Sequence, residues 1–132
     1  IEAQDEATHR EAADFASTLT GNVASADVTL RSKIHLVGVL ASNFVNNMYA
    51  TATEVLEGAG LSFDVVAPII TEVAAKAVAS GSPAAMQTGP AVRGDHATME
   101  RHREMLSGNE LLRTIYDKIS ENIWRIKETS KR

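Results

Sequence analysis

DVTLRSKIHLVGVLASNFVNNMYATATEVLE, residues Asp27 to Glu57, is the stretch that decides the fold. Leu30, Ile34, Val37, Ala41, Phe44, Met48, Ala52 and Val55 recur at helical spacing, and at about 100° per residue they fall in an arc of roughly 80°. Asp27 stands where a carboxylate caps a helix start. At about 1.5 Å per residue the helix runs roughly 45 Å. A second arc holds Arg31, His35, Ser42, Asn46, Tyr49 and Thr53, with Asn43 and Asn47 on its flank. Leu36, Val39 and Leu40 interrupt that polar arc. The middle of the helix is therefore expected to be buried nearly all round, with its polar groups partnered.

Before this rod, Ile1-Glu2-Ala3 reads as the tail of a strand. Residues 4–20 carry an amphipathic helix through Ala12, Phe15, Ala16 and Leu19, which Gly21-Asn22 stops. Val23 to Ala26 reads as one edge strand. Residues 1–26 thus look like the last helix–strand unit of an α/β domain, and residues 27–132 like a helical domain. Opening on Ile1 in mid-pattern, the sequence reads as part of something longer.

Beyond the rod, Gly58-Ala59-Gly60 ends the helix. A further helix is expected from about Asp64, with Val65, Val66, Ile69, Ile70, Val73, Ala74 and Val78 inward. Pro68 must bend it or mark its real start. Ser80-Gly81-Ser82-Pro83 closes it. A short helix follows over about 96–106. The last helix sets Leu112, Ile115, Tyr116, Ile119, Ile123 and Ile126 inward. The fold class is mainly all-α, a bundle around one long central helix, with a short helix–strand remnant at its N-terminus.

Gln87-Thr88-Gly89-Pro90-Ala91-Val92-Arg93-Gly94-Asp95 is a Gly- and Pro-dense turn. Gly89-Pro90 breaks any incoming helix, and Asp95 is placed to cap the next. The turn sets Gln87, Thr88 and Arg93 beside a helix N-terminus, where anionic or carbonyl groups bind well. The plainer alternative is a capped loop in which Arg93 pairs with Asp95.

Composition narrows the function. Only 5% of residues are aromatic against 44% hydrophobic, so any core is aliphatic. The net charge of −4 is spread over interspersed acids and bases, without the basic stripe that nucleic acid requires. The cations of the Lys127–Arg132 run suit the end of a helix. No cysteine is present, which excludes disulfides and a thiolate zinc site. No apolar run approaches the ~18 residues that span a bilayer, and no signal peptide is visible, so the expected location is cytoplasmic.

His35, Ser42 and Asn46 lie seven and four residues apart, one above another on an α-helix. A His beside a hydroxyl and amides can bind a carbonyl substrate and pass it a proton; equally, such groups can be satisfied core polar residues. Asn43, Asn46 and Asn47 are unfavourable inside a helix, and a ligand or neighbouring backbone should repay them. A Ser–His–acid triad lacks the strained nucleophile turn it needs. His96 and His102 are six apart, so one helix cannot offer both to a single ion, and no metal site is expected.

With these patches laid out, the chain resembles the C-terminal part of a bacterial family of Rossmann-type NADP-dependent oxidoreductase-like proteins of unassigned substrate. Their helical domain resembles the C-terminal domain of 6-phosphogluconate dehydrogenase. The likeness rests on Arg31 through Asn47, Phe63 through Lys76, and Gln87 through Asp95 with His102 beyond. It implies that residues 1–26 close a Rossmann-type domain and that 27–132 form a substrate-binding and dimerisation domain. It also implies NADP as cofactor, a homodimer, and a small-molecule substrate that the likeness does not name. His35 and Asn43 would be catalytic, His35 or a water supplying a proton. Ser42, Asn46, Asn47, Gln87, Thr88, Arg93 and Asp95 would bind substrate. One departure matters: no G-x-G-x-x-G fingerprint occurs, so NADP would be held mainly outside this chain. The competing expectation is a non-catalytic structural or regulatory dimerisation module.

Overall fold

The computed structural model describes residues 1–130; Lys131 and Arg132, the last cations of the terminal run, lie outside the described residues. Among the described residues seven α-helices follow one another: α1 Glu6–Ser17, α2 Val28–Gly38, α3 Phe44–Gly58, α4 Ala67–Ser80, α5 Pro90–Arg93, α6 His96–Met105 and α7 Glu110–Thr129. A π-helical turn, Val39–Asn43, joins α2 to α3, and 3-10 turns cover Phe63–Val65 and Pro83–Met86. The chain forms two compact units, Ile1–Phe63 and Asp64–Arg132. Among the described residues no helix is long and apolar enough to cross a membrane.

The expected helix–strand remnant is corrected here: the all-α architecture holds, but no strand occurs among the described residues. Where Ile1-Glu2-Ala3 and Val23–Ala26 were expected to be strands, the contacts stop at one rung. The backbone nitrogen of Ile1 donates to the Ala24 carbonyl, and Ala26 N–H donates to the Ile1 carbonyl at 2.9 Å. A strand needs a continuing ladder, and a single rung supplies none. The α1 segment is otherwise tied by His9 Nε2 to Ser25 Oγ at 3.1 Å and by the Arg31–Glu2 ion pair at 2.9 Å. Helix α1 also ends earlier than Gly21 would end it. The hydroxyls of Ser17 and Thr18 bond back to the Ala13 and Phe15 carbonyls, competing with the helical ladder.

Capping chemistry sets the other boundaries. Asp27 accepts from Leu30 N–H at 2.7 Å and starts α2. At the end of α3, Leu61 N–H reaches the Leu56 carbonyl and Gly60 N–H the Glu57 carbonyl, both at 2.9 Å. This Schellman arrangement requires the left-handed backbone that Gly60 adopts at φ +71°. Pro68 does not bend a helix; it sits in the first turn of α4, where its missing N–H costs nothing.

In the first unit the rod is continuous, with helical backbone angles at Gly38, Val39, Asn43 and Phe44. Its middle is not buried all round. Ile34, Leu36, Val37, Leu40 and Phe44 are 51% to 61% exposed. In the second unit the buried residues are Ala91, Met99 and Ser120, one each from α5, α6 and α7. The inward stripe of α7 runs through Leu112, Ile115, Tyr116, Ser120 and Ile123, while Ile119 turns outward at 43% exposure. Asn109 caps α7, its side-chain oxygen accepting from Leu112 N–H at 2.9 Å.

Because so little is buried, single caps should weigh heavily. Asn109→Ala is expected to lower stability by about 1 kcal/mol and the melting temperature by roughly 4 °C, read by circular dichroism. Asn109→Gly should lower it by only a few tenths of that.

Candidate functional site

The π turn places the polar residues of the rod. Phe44 N–H donates to the carbonyl of Val39, five residues back rather than four. Gly38 and Asn43, both poor helix formers, bracket the turn, so the helix widens where it is weakest. One extra residue is thereby fitted into the turn, and a face that an α-helix would repeat at i+7 returns at about i+8. The line from His35 therefore meets Asn43, with Asn46 and Asn47 on either side one turn further on. Ser42, expected in that line, is rotated off it. The apolar stripe shifts equally: Val37 is continued by Val45 rather than Phe44. The half-buried residues of α3 are Val45, Met48, Tyr49, Thr51, Ala52, Thr53 and Leu56; all but Thr51 follow a helical stripe, while Phe44 and Val55 lie outside it.

His35, Ser42, Asn43, Asn46 and Asn47 are all exposed. None of their side chains has a hydrogen-bond partner among the described residues. They are thus not core polar groups satisfied within this chain. They form an open face of one imidazole, three amides and a hydroxyl, able to donate and accept toward a carbonyl.

The Gln87–Asp95 turn is more tightly built than the sequence suggests. Gly89 at φ +107° opens a single helical turn, α5, with Pro90 first in it, and Gly94 at φ +68° closes it. Gln87 Nε2 donates to the Thr88 carbonyl at 3.1 Å, and Thr88 is exposed. Arg93 is exposed and lies 3.9 Å from Asp95. Asp95 is engaged: its Oδ1 accepts from Thr98 N–H at 3.1 Å and caps α6. That bond, then the Thr98 hydroxyl, then the nearby Arg93 and Arg101, hold its carboxyl below the usual aspartate value. This is the capped loop of the plainer alternative: Asp95 caps α6, and Arg93 is its exposed ion-pair partner.

Sequence reading missed the interior of the second unit. Two side-chain bonds fasten α6 to α7: His102 Nδ1 with the Tyr116 hydroxyl at 2.9 Å, and Arg103 Nε with Asp117 at 2.7 Å. The His102 and Tyr116 rings meet edge-on, centroids 5.6 Å apart. Arg103 also reaches Glu100 at 3.0 Å, and these carboxylates raise its already high pKa. The usable signal was the matched spacing: His102 to Tyr116 and Arg103 to Asp117 are each fourteen residues apart. Beside this clasp a cavity of about 400 Å³ is lined from α5, α6 and α7, including His96, Arg103, Asp117 and Trp124. Gln87, with Val92, Ile123 and Lys127, lines a smaller one of about 190 Å³. Among the described residues no group of three or more His, Asp or Glu gathers in a way that could hold a metal ion.

The helical architecture agrees with what similarity shows. The chain belongs to the DUF2520 family, a domain of unknown function, which matches residues 1–123. Among solved structures it is similar to a protein of Bacteroides fragilis described as a "putative NADP oxidoreductase", with 36% sequence identity and a TM-score of 0.87. That match covers 94% of this chain and 48% of the other, so the chain spans about half that protein's length. No curated protein matches the chain.

The cap makes a pH prediction. A carboxylate with a depressed folded pKa contributes stability that is complete above its unfolded value and is lost as pH falls through the folded one. The Thr98 amide, followed by NMR, should titrate with a midpoint below 3.8, the ordinary value for Asp95, and α6 should fray below it. In Asp95→Asn this Thr98 titration should vanish.

Proposed function

We propose that this chain is the helical substrate-binding and dimerisation part of an NADP-dependent oxidoreductase of two domains. Residues 27–132 would be the helical domain, similar to the C-terminal domain of 6-phosphogluconate dehydrogenase, and residues 1–26 the join to the remainder. The carrying observation is the π turn at Val39–Asn43, which presents His35, Asn43, Asn46 and Asn47 as an open, unpartnered polar face. Widened turns of this kind recur at functional sites. The likeness to the Bacteroides fragilis protein supports the oxidoreductase class.

The residues present do not fit the dinucleotide itself. A pyrophosphate site needs a glycine-rich turn from strand to helix. The positive-φ glycines here, Gly60, Gly81, Gly89 and Gly94, sit at helix ends, and no strand is present among the described residues. NADP is therefore assigned to another part of the protein. The work left to this chain is orientation: on the first unit Asn43, Asn46 and Asn47 hold an acceptor carbonyl or imine, His35 holds a proton beside it, and Ser42 is a lesser contact. On the second unit, taken by itself, Arg93 is the group for an anion, with Gln87 and Thr88 beside it in the same turn. The exposed Ile34, Leu36, Val37, Leu40 and Phe44 leave much of the rod's apolar surface in water, and pairing with a second copy of the same helix would cover part of it.

A crystal structure of the whole protein with NADP tests this. His35 or Asn43 should lie within about 3–3.5 Å of the acceptor position next to the nicotinamide C4, and finding both remote from the nicotinamide sinks the reading. In the same protein, Asn43→Ala and Arg93→Ala should weaken substrate binding while dimer mass and melting temperature stay nearly constant. Loss of the dimer in both variants would make these residues architectural.

A further inference from the structure

Asp117, Ser120, Glu121 and Trp124 stand at i, i+3, i+4 and i+7 on α7, hence on one face. With His96, Met99 and Arg103 from α6, and Ala91 and Gly94 from the α5 turn, they line the cavity of about 400 Å³. This lies within the roughly 300–1,000 Å³ of small-molecule sites.

Ser120 is the anomaly. It occupies a core position on α7 and is only 7% exposed, yet its hydroxyl has no partner among the described residues. A helical hydroxyl usually bonds to the carbonyl four residues back, as Thr114 bonds to Glu110 and Thr129 to Arg125 on this same helix. Ser120 does not. Among the described residues no fully sealed side-chain oxygen or nitrogen lacks a partner, so the Ser120 oxygen opens onto the cleft. An oxygen open to the cleft can accept from or donate to a ligand there.

The surrounding charges select the ligand. Asp117 gives one oxygen to Arg103 and keeps the other; Glu121 gives one to Lys118 at 2.9 Å and keeps the other. Arg103 is already shared between Asp117 and Glu100. The lining thus holds two carboxylates against one guanidinium. The features that would attract an anion are engaged: Asp95 caps the N-terminus of α6, Arg103 is held by Asp117 and Glu100, and Lys127 near Trp124 donates to the Val92 carbonyl. Below these acceptors, Met99 forms an apolar floor at 8% exposure and the Trp124 ring a flat wall.

We infer that the α6–α7 cleft binds a small organic amine: a flat apolar body lies against Trp124 and Met99, and its ammonium donates to Ser120, Asp117 and Glu121. This inference stands on the second unit alone and does not depend on the oxidoreductase reading.

Trp124 is the single tryptophan of the chain, so its fluorescence reports directly on the cleft. At pH 7 the 132-residue chain is titrated with 2-phenylethylammonium, 2-phenylethanol and phenylacetate. The ammonium should give a saturable emission change, with NMR shifts at the amides of Ser120 and Glu121. The alcohol should bind at least about tenfold more weakly, the scale of a charge-assisted hydrogen bond, and phenylacetate should give no saturable change. Ser120→Ala and Glu121→Gln should each lower affinity about tenfold. If Ser120→Ala fails to fold, Glu121→Gln on the exposed rim decides. Absence of a saturable response to the ammonium, binding of phenylacetate as tight as the ammonium, or unchanged affinity in a folded Ser120→Ala protein overturns the inference.

Discussion

One backbone hydrogen bond, from Phe44 N–H to the Val39 carbonyl, sets the arrangement of the first unit. By skipping four residues for five it fits an extra residue into the rod without breaking it. Every side chain after Asn43 is rotated against every side chain before Gly38. His35 is paired in line with Asn43 for that reason, and Ser42 is turned aside. The same rotation moves the half-buried stripe of α3 onto Val45, Met48, Tyr49, Ala52, Thr53 and Leu56.

The second unit is governed differently. Its buried residues among those described are few, and small or unbranched. Directional contacts therefore carry much of its definition. Asp95 and Asn109 fix where α6 and α7 begin. The His102–Tyr116 and Arg103–Asp117 contacts fix how α6 meets α7. Lys127 adds a contact from α7 to the Val92 carbonyl while its ammonium lies 4.6 Å from the Trp124 ring centroid. The exposed ion pairs such as Lys118–Glu121 contribute little by comparison.

Features set by neighbouring residues were legible in the sequence; features set by distant partners were not. Asp27 and Asp95 read as caps because an N-cap needs only its own next turn. Pro68 and Gly60 likewise announce a helix start and end through their own backbone limits. Val23 to Ala26 read as a strand from composition, but a strand exists only where a neighbour continues the ladder, and Ile1 offers one rung. The π turn escaped because the rod is apolar on several sides: Leu36, Val45 and Leu56 complete a stripe after the shift as well as Phe44 and Val55 complete one before it. On α7, Ile119 and Ser120 are adjacent, and periodicity favoured the apolar one. The α5 turn and α6, both distant in sequence, place Ser120 inward. Of the candidate site, the residues on the rod were visible in the sequence, but their lack of partners is a property of the folded chain.

The widened turn also binds two properties of the rod together. Its polar line, His35 with Asn43, and its apolar stripe, Val37 with Val45, are related by one rotation that Val39–Asn43 imposes. Removing a single residue from that turn would return both to simple α-helical register, sending His35 toward Ser42 and Val37 toward Phe44. The polar line and the apolar stripe cannot then be adjusted separately at this point of the chain. That coupling gives a physical reason for keeping a π turn, which a straight helix of better formers would avoid: the open amide face and the open apolar face are correct only in each other's company.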